Sequence, residues 1–141
     1  MRLQRIVAVA LLVISTCAHA DRAHVDYVLK CSGCHGMDGS GAPEKGIPDF
    51  RNQIGYFERV SGGRAFLTQV AGVLTSGLPD DRVAAVTTYI VNTFAGESMP
   101  EGFEPYTEEE TRRYRETRPA DVTQRRNELY QQLLAAGYPI R

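Results

Sequence analysis

The apolar residues of this chain recur at helical spacing in several separate segments. The clearest of these lies between Asp80 and Gly96. Its apolar face is formed by Val83, Val86, Ile90 and Phe94. The spacing of three or four residues predicts an amphipathic helix, with Asp80 as its cap and Gly96 placed to end it. The apolar face of this helix needs a partner, and the N-terminal helix of the mature chain is its natural neighbour.

Weaker helical patterns precede this segment. A short helix is expected from Asp21 to about Lys30, an amphipathic turn or two within residues 49–60, and a helix from Arg64 to about Val73. Between the first two, residues 36–48 contain too many glycines and prolines for a helix or a strand. The segments with a regular apolar pattern are therefore all predicted to be helices.

Residues 101–141 add two charged helices. Thr107 and Glu110 form a capping-box pattern, so a helix should begin at Thr107 and end where Pro119 interrupts it. A final helix is expected over residues 121–136. Its narrow apolar stripe consists of Val122, Leu129 and Leu133. Runs of charge are most often solvated, so we expect this helix to pack on the rest of the protein, with a docking surface for a partner as the alternative.

The first 20 residues are typical of a secretory signal peptide. Two arginines precede an unbroken apolar run over residues 6–14, which is short for a membrane span, and residues 18–20 form a small-x-small cleavage site. We expect cleavage after Ala20, export to the periplasm and no other segment able to cross a membrane. An uncleaved, membrane-anchoring N-terminus and a lipid anchor on Cys17 are alternatives, but the threonine before Cys17 fits a lipoprotein signal poorly.

Composition narrows the classes of function. Cleavage would leave about 121 residues, enough for one small domain. The net charge of the full chain is −1, and it becomes −3 once the two arginines of the leader are removed. A chain with this charge is not expected to bind nucleic acid.

Residues 31–35 form a C-x-x-C-H pentapeptide, which is the signature of covalent haem attachment. Cys31 and Cys34 are three residues apart, about one helical turn, so that each can form a thioether with one edge of a porphyrin. His35 can then ligate the iron through an imidazole nitrogen. In the exported chain these two cysteines are the only ones left, which excludes a disulfide framework beyond that pair.

Three other interpretations of the cysteine pair fit less well. A thioredoxin-like redox pair is expected in a βαβ context, and none precedes Cys31. A zinc site needs about two more ligands, and the mature chain has no second cysteine pair. A disulfide between Cys31 and Cys34 would close a very short loop and stabilise little.

Residues 21–95 resemble a monohaem class I c-type cytochrome. The resemblance is carried by Tyr27, the C-S-G-C-H-G of residues 31–36, the D-G-S-G of residues 38–41, and A-A-V and Y-I in the late helix. It implies an all-α, cytochrome c-like fold around one covalent haem c, with the first and last core helices crossing. We therefore divide the chain into a signal peptide (1–20), a cytochrome c domain (21–100) and a C-terminal helical extension (101–141).

The chain departs from the family's pattern at the distal iron ligand. The family usually has a methionine before the late helix, but residues 71–79 contain none. Met37 follows His35 too closely to cross to the distal side, which leaves Met99 as the candidate distal ligand by elimination. An exposed loop methionine is the alternative, and the iron would then be five-coordinate or bound by another group. Arg64 is a candidate for a haem propionate contact, with an ordinary solvated arginine as the alternative.

The resemblance implies one-electron transfer in the periplasm or an equivalent space. The chain contains no persuasive set of acid–base or nucleophilic residues, so we expect an electron carrier and not an enzyme. It would accept electrons from a periplasmic dehydrogenase and pass them to a terminal oxidase or another cytochrome. The alternatives are a haem protein whose open distal site binds or senses a small ligand, and a haem subunit of a larger redox complex.

Overall fold

The computed structural model describes residues 22–141, so the predicted signal peptide and Cys17 lie outside the described residues. Within the described range the α-helices are α1 (residues 22–30), α2 (Ser32–His35), α3 (Gly63–Leu67), α4 (Ala71–Thr75), α5 (Asp80–Phe94), α6 (Glu108–Glu116) and α7 (Val122–Ala135). Short 3₁₀ helices lie at Pro43–Lys45, Ile54–Arg59 and Gly96–Ser98. The structure contains no β-strand in this range, which confirms the predicted all-α fold. Among the helices of residues 22–141, none is long and apolar enough to span a membrane.

The first helix packs against α5, as the apolar pattern predicts. Tyr27 is fully buried, and its ring centroid lies 5.2 Å from that of Phe94 and 5.7 Å from that of Tyr89. Beside this aromatic contact, the Asp26 carboxylate is 1% exposed and accepts from the Arg82 guanidinium, with 2.8 Å between Nε and Oδ2. A buried carboxylate is costly unless it is paired, so this ion pair fixes the register between the two helices.

The predicted cap of α5 is wrong, although the helix begins where expected. Asp80 is the first helical residue, and the N-cap position is occupied by Pro79, which makes no side-chain cap. The Asp80 carboxylate is instead paired with Arg115 of α6. Tertiary pairing with a cation has therefore replaced the local capping hydrogen bond. The end of the helix agrees with the prediction, since Gly96 adopts a positive φ of 47° just after it.

The single helix predicted from Arg64 to Val73 is also wrong, because the chain forms two short helices there. The break covers residues 68–70, and Val70 is extended, with φ −67° and ψ 152°. Thr68 is fully buried, and its hydroxyl donates to the Ala65 carbonyl at 2.9 Å, which competes with helix hydrogen bonding. The Gln69 side chain donates to the Tyr114 carbonyl of α6 at 2.6 Å. These contacts hold the chain out of the helix that its apolar pattern alone would favour.

The C-terminal helices share the core of the residues before them. Thr107 caps α6 by accepting from the Glu110 amide at 3.2 Å, as the sequence predicts. Asp121, at which the last helix is expected to begin, is the N-cap of α7 and accepts from the Gln124 amide at 2.9 Å. The buried hydrophobic residues contributed by the extension are Tyr106, Leu129, Leu133 and Ile140. They pack with α5 and with the Ile54–Arg59 turn. The extension therefore packs directly on residues 22–100 and shares their core.

Leu133 and Leu134 test this packing as a matched pair on α7. Leu133 is fully buried and Leu134 is 51% exposed. We expect Leu133→Ala to lower the free energy of unfolding by about 2–5 kcal/mol and Leu134→Ala by about 0.5 kcal/mol or less, measured by chemical denaturation. Equal losses for the two variants would mean that α7 does not belong to the core.

Candidate haem site

The C-x-x-C-H motif is an almost unbroken continuation of α1. The Cys31 amide donates to the Tyr27 carbonyl at 2.9 Å, and the His35 amide donates to the Cys31 carbonyl at 2.9 Å. This helical backbone places the two thiols about one turn apart. Both cysteines are free; Cys31 is half-buried and Cys34 is exposed. Since Tyr27 anchors α1 to α5, the motif is held at the end of a fixed helix.

The surroundings of Cys31 keep its thiol protonated. Burial, with smaller contributions from the nearby Asp26 and Cys34, raises the pKa of Cys31 to about 11. A thioredoxin-like cysteine depends on a lowered pKa, because the thiolate is the nucleophile. The raised pKa of Cys31 therefore argues against a thiol–disulfide exchange role for this pair.

The imidazole of His35 is oriented by a backbone carbonyl. Its Nδ1 lies 3.3 Å from the Pro48 oxygen, and the ring is stacked on Phe50 with 4.1 Å between centroids. A carbonyl oxygen can only accept, so this contact favours the tautomer with the proton on Nδ1 and a lone pair on Nε2. Burial lowers the pKa of His35; the hydrogen bond to Pro48 acts against this shift, and the Arg126 charge adds a smaller contribution in the same direction as burial. A neutral imidazole with a free Nε2 is the form that binds a metal.

The glycine-rich loop brings the Pro48 carbonyl back to His35. The Gly41 amide donates to the His35 carbonyl at 2.9 Å, and Gly41 has a φ of +60°. A Cβ on Gly41 would lie only 2.3 Å from the Pro48 oxygen. The Tyr27 hydroxyl donates to the Gly36 carbonyl at 2.6 Å, which fixes the start of the loop. Only a glycine at position 41 lets the two halves of the loop approach this closely.

Met99 is half-buried and packs against the core, in contrast to Met37, which is 63% exposed. It follows Ser98, whose buried hydroxyl accepts from the Gly55 amide at 3.0 Å. The Met99 carbonyl accepts from the Arg59 guanidinium at 2.9 Å. Both contacts fix the backbone of Met99 against the Ile54–Arg59 turn. Met99 is thus not an exposed loop methionine, and its ligation of the iron stays a prediction.

Arg64 is enclosed by carboxylates and aromatic rings. Its Nε donates to Glu110 at 2.7 Å, its Nη1 donates to Glu58 at 2.8 Å, and its Cζ lies 3.9 Å from the Tyr106 ring centroid. The Tyr106 hydroxyl in turn donates to Glu58. The alternative of an ordinary solvated arginine is therefore wrong. The propionate contact stays a prediction, while the structure gives Arg64 a role in joining α3 to α6.

Two further residues of the site have no distinctive sequence signal. Pro48 acts through its backbone carbonyl, and Arg126 of α7 reaches the loop by donating to the Gly46 carbonyl at 3.1 Å. Neither interaction follows from local spacing, because the partners are 13 and 80 residues apart. Phe50, in the segment over residues 49–60 that is expected to be amphipathic, is buried against His35.

Two known proteins show sequence similarity to this chain, both cytochromes c-552 from Thermus thermophilus. One is 28% identical over 116 residues, covering 70% of this chain and 76% of the relative. The other is 28% identical over 104 residues, covering 61% of this chain and 79% of the relative. These similarities support a c-type cytochrome. No family model matches the chain, and neither does any solved structure.

The residues of the motif fit the haem c of a c-type cytochrome. Two free thiols one helical turn apart match the two thioether bonds, and the oriented imidazole matches an axial iron ligand. Haem brings its own four nitrogen ligands, so the chain needs to supply only axial groups.

Alanine substitutions at Gly41 and Gly46 distinguish the cost of steric overlap from the cost of backbone strain in the loop. Both have a positive φ, but a Cβ at Gly46 would meet nothing within 4 Å, whereas one at Gly41 would overlap the Pro48 oxygen. We expect Gly46→Ala to cost about 1 kcal/mol of stability and Gly41→Ala about 3 kcal/mol or more, measured by denaturant unfolding. Similar costs for the two variants would show that position 41 does not require close approach to Pro48.

The Arg64–Glu110 pair predicts a pH dependence of stability. The Arg64 guanidinium holds the pKa of Glu110 below its ordinary value of 4.5. A carboxylate with a lowered pKa in the folded state contributes stability above its ordinary pKa, and this contribution is lost as the pH falls below that value. We expect Glu110→Gln to cost about 1 kcal/mol at neutral pH and to flatten the loss of stability below pH 4.5.

The exposed neighbour Glu109 provides the control for that measurement. Denaturation curves recorded across the acid range for Glu109→Gln should follow those of the unchanged protein. An acid profile for Glu110→Gln that is identical to the unchanged one would rule out this pair as a source of the pH dependence.

Proposed function

We propose that this protein is an exported one-electron carrier that holds a single covalent haem c. The observation that carries the proposal is the geometry of the motif, in which Cys31 and Cys34 are free thiols on one helical turn and the Pro48 carbonyl orients His35. The similarity to two cytochromes c-552 supports the same chemistry. The leader over residues 1–20 supports export to the periplasm.

Each residue of the site has a defined part in this function. Cys31 and Cys34 would hold the haem by thioether bonds, and His35 would bind the iron through Nε2. When bound, the haem supplies the one-electron iron couple. Burial of His35 keeps its ring neutral, and the contact with Pro48 keeps it in one orientation. The chain thereby controls the geometry and the electron donation of the axial ligand.

Met99 is the proposed distal ligand. Its support is its half-buried position and the fixed backbone that the contacts of Ser98 and Arg59 give it. A thioether ligand favours the reduced iron and raises the reduction potential, which suits a carrier. The proposed donor is a periplasmic dehydrogenase, and the proposed acceptor is a terminal oxidase or another cytochrome.

An open distal site is the second candidate function. It is favoured by residues 71–79, which precede α5 and offer no methionine or other ligating side chain. Such a protein would bind or sense a small ligand at the free position of the iron. A haem-carrying subunit of a larger redox complex is the remaining alternative.

Optical spectra of the mature protein, produced in a host that attaches haem c, distinguish these functions. In the oxidised protein we expect a far-red sulfur-to-iron charge-transfer band that Met99→Ala abolishes and Met37→Ala preserves. Met37 is the matched control, since it is the other methionine of the mature chain and is 63% exposed.

The other outcomes are equally informative. A high-spin spectrum that neither substitution changes would contradict Met99 ligation and favour the open distal site. Absence of covalent haem, in a host that loads a control cytochrome, would overturn the proposed function.

A further inference from the structure

The tip of the glycine-rich loop is held by the C-terminal helix. Ala42 and Ile47 pair through two backbone hydrogen bonds of 3.0 and 3.1 Å, and Gly46 lies at the turn between them with a φ of +80°. The outward carbonyl of Gly46 accepts from Arg126 Nη1 at 3.1 Å. This hydrogen bond links α7 to the loop that carries Pro48.

Arg126 is itself well placed to act as a fixed support. It is half-buried, its Cζ lies 5.4 Å from the Tyr130 ring centroid, and the helix that carries it is anchored by the fully buried Leu129 and Leu133. A cavity of about 250 Å³ lies between α7 and the loop, with Pro43 and Pro48 among its walls. The Arg126 hydrogen bond is a contact by which α7 reaches the tip of the loop beside this cavity.

The path from Arg126 to the candidate iron ligand is short. Gly46 is two residues before Pro48, and Ile47 between them is fixed by its pairing with Ala42. The Pro48 carbonyl then lies 3.3 Å from Nδ1 of His35. A shift of the loop tip would therefore move the Pro48 oxygen relative to the imidazole.

We propose that Arg126 is a positioning residue for His35: by holding the Gly46 carbonyl it keeps the Pro48 carbonyl on Nδ1 and so fixes the axial imidazole. The inference rests on the proposed function, since it assigns the C-terminal extension a part in controlling the haem iron. Groups that hydrogen-bond the outer nitrogen of a ligating histidine set its orientation and its basicity. In this protein that group is the Pro48 carbonyl. The loop that carries it is held at Gly46 by Arg126, which lies 80 residues after Gly46.

The reduction potential alone does not isolate this role. Loss of the Arg126 charge, which acts on His35, would lower the potential of a bound haem. A weaker Nδ1 hydrogen bond would raise it, because the imidazole would donate less to the ferric iron. The direct readout is the Nδ1–H proton of His35 itself. Its exchange with solvent reports whether the Pro48 carbonyl still covers it.

The test compares the full-length mature holoprotein with three variants by ¹H–¹⁵N NMR of the His35 imidazole in the reduced state. We expect Arg126→Met to accelerate Nδ1–H exchange by about tenfold or more, the scale on which outer-shell partners act at metal sites. Arg126→Lys keeps a cationic donor for the Gly46 carbonyl and should restore slow exchange.

Arg125→Met is the matched control. It removes the same charge from the adjacent residue of α7, but Arg125 contacts Ser61 and Glu128 and not the loop around Gly46. Slow exchange in this variant together with fast exchange in Arg126→Met supports the proposal.

Unchanged exchange in Arg126→Met, or equal acceleration in Arg125→Met, would overturn it, since the effect would then be absent or a general consequence of weakening α7. If Arg126→Met does not load haem, fast exchange in Arg126→Lys would count against the proposal and slow exchange would support it. A wild-type protein without covalent haem would instead refute the proposed function, which makes the two failures distinguishable.

Discussion

The packing of Tyr27 against α5 fixes where the chemistry of this protein lies. The two cysteines and the histidine follow Tyr27 on an almost continuous helical backbone, so their position is set by the helix to which that tyrosine belongs. Tyr27 is fully buried between α1 and α5, and its hydroxyl also holds the start of the glycine-rich loop through Gly36. Desolvation raises the pKa of Tyr27 to about 12, so the hydroxyl stays protonated and able to donate. One side chain thus joins the motif-bearing helix, its partner helix and the loop that orients His35.

The C-terminal extension is joined to the rest of the protein by polar as well as apolar contacts. Arg64 links Glu58, which lies before α3, to Glu110 of α6, and the buried Tyr106 completes the cluster. Burial raises the pKa of Tyr106 well above its ordinary value, so it remains a donor to Glu58. Paired charges of this kind are strongly geometry-dependent, and they specify how the extension docks. A separate hydrogen bond from Arg126 brings the last helix to the loop of the candidate haem site.

The geometry of the C-x-x-C-H motif and the similarity to cytochromes c-552 both support haem c chemistry. The geometry concerns only three side chains: two thiols that can form thioether bonds with a porphyrin, and one imidazole that can bind its iron. The similarity is 28% identity, yet in the longer match it extends over 70% of the chain. The position of the candidate distal ligand differs from the usual pattern of class I cytochromes c, because no methionine stands just before α5 and Met99 comes after it. The choice between the two proposed functions, a carrier and a protein that takes an external ligand, rests on whether Met99 binds the iron of the proposed haem.

The sequence by itself determined the features that depend on near neighbours along the chain. The C-x-x-C-H spacing, the amphipathic α5 and the cap at Thr107 all rest on interactions within about one or two helical turns, so local residue types predict them.

Tertiary structure decided the rest. The break after Leu67 arises from the burial of Thr68 and the contact of Gln69 with α6, and Asp80 is drawn from its capping role to Arg115. Arg64 meets Glu110 from 46 residues away. The carbonyls of Gly46 and Pro48 accept hydrogen bonds through the backbone, which every residue possesses and no sequence pattern marks. Long-range polar contacts depend on which donors and acceptors the fold brings together, and only the folded chain reveals that.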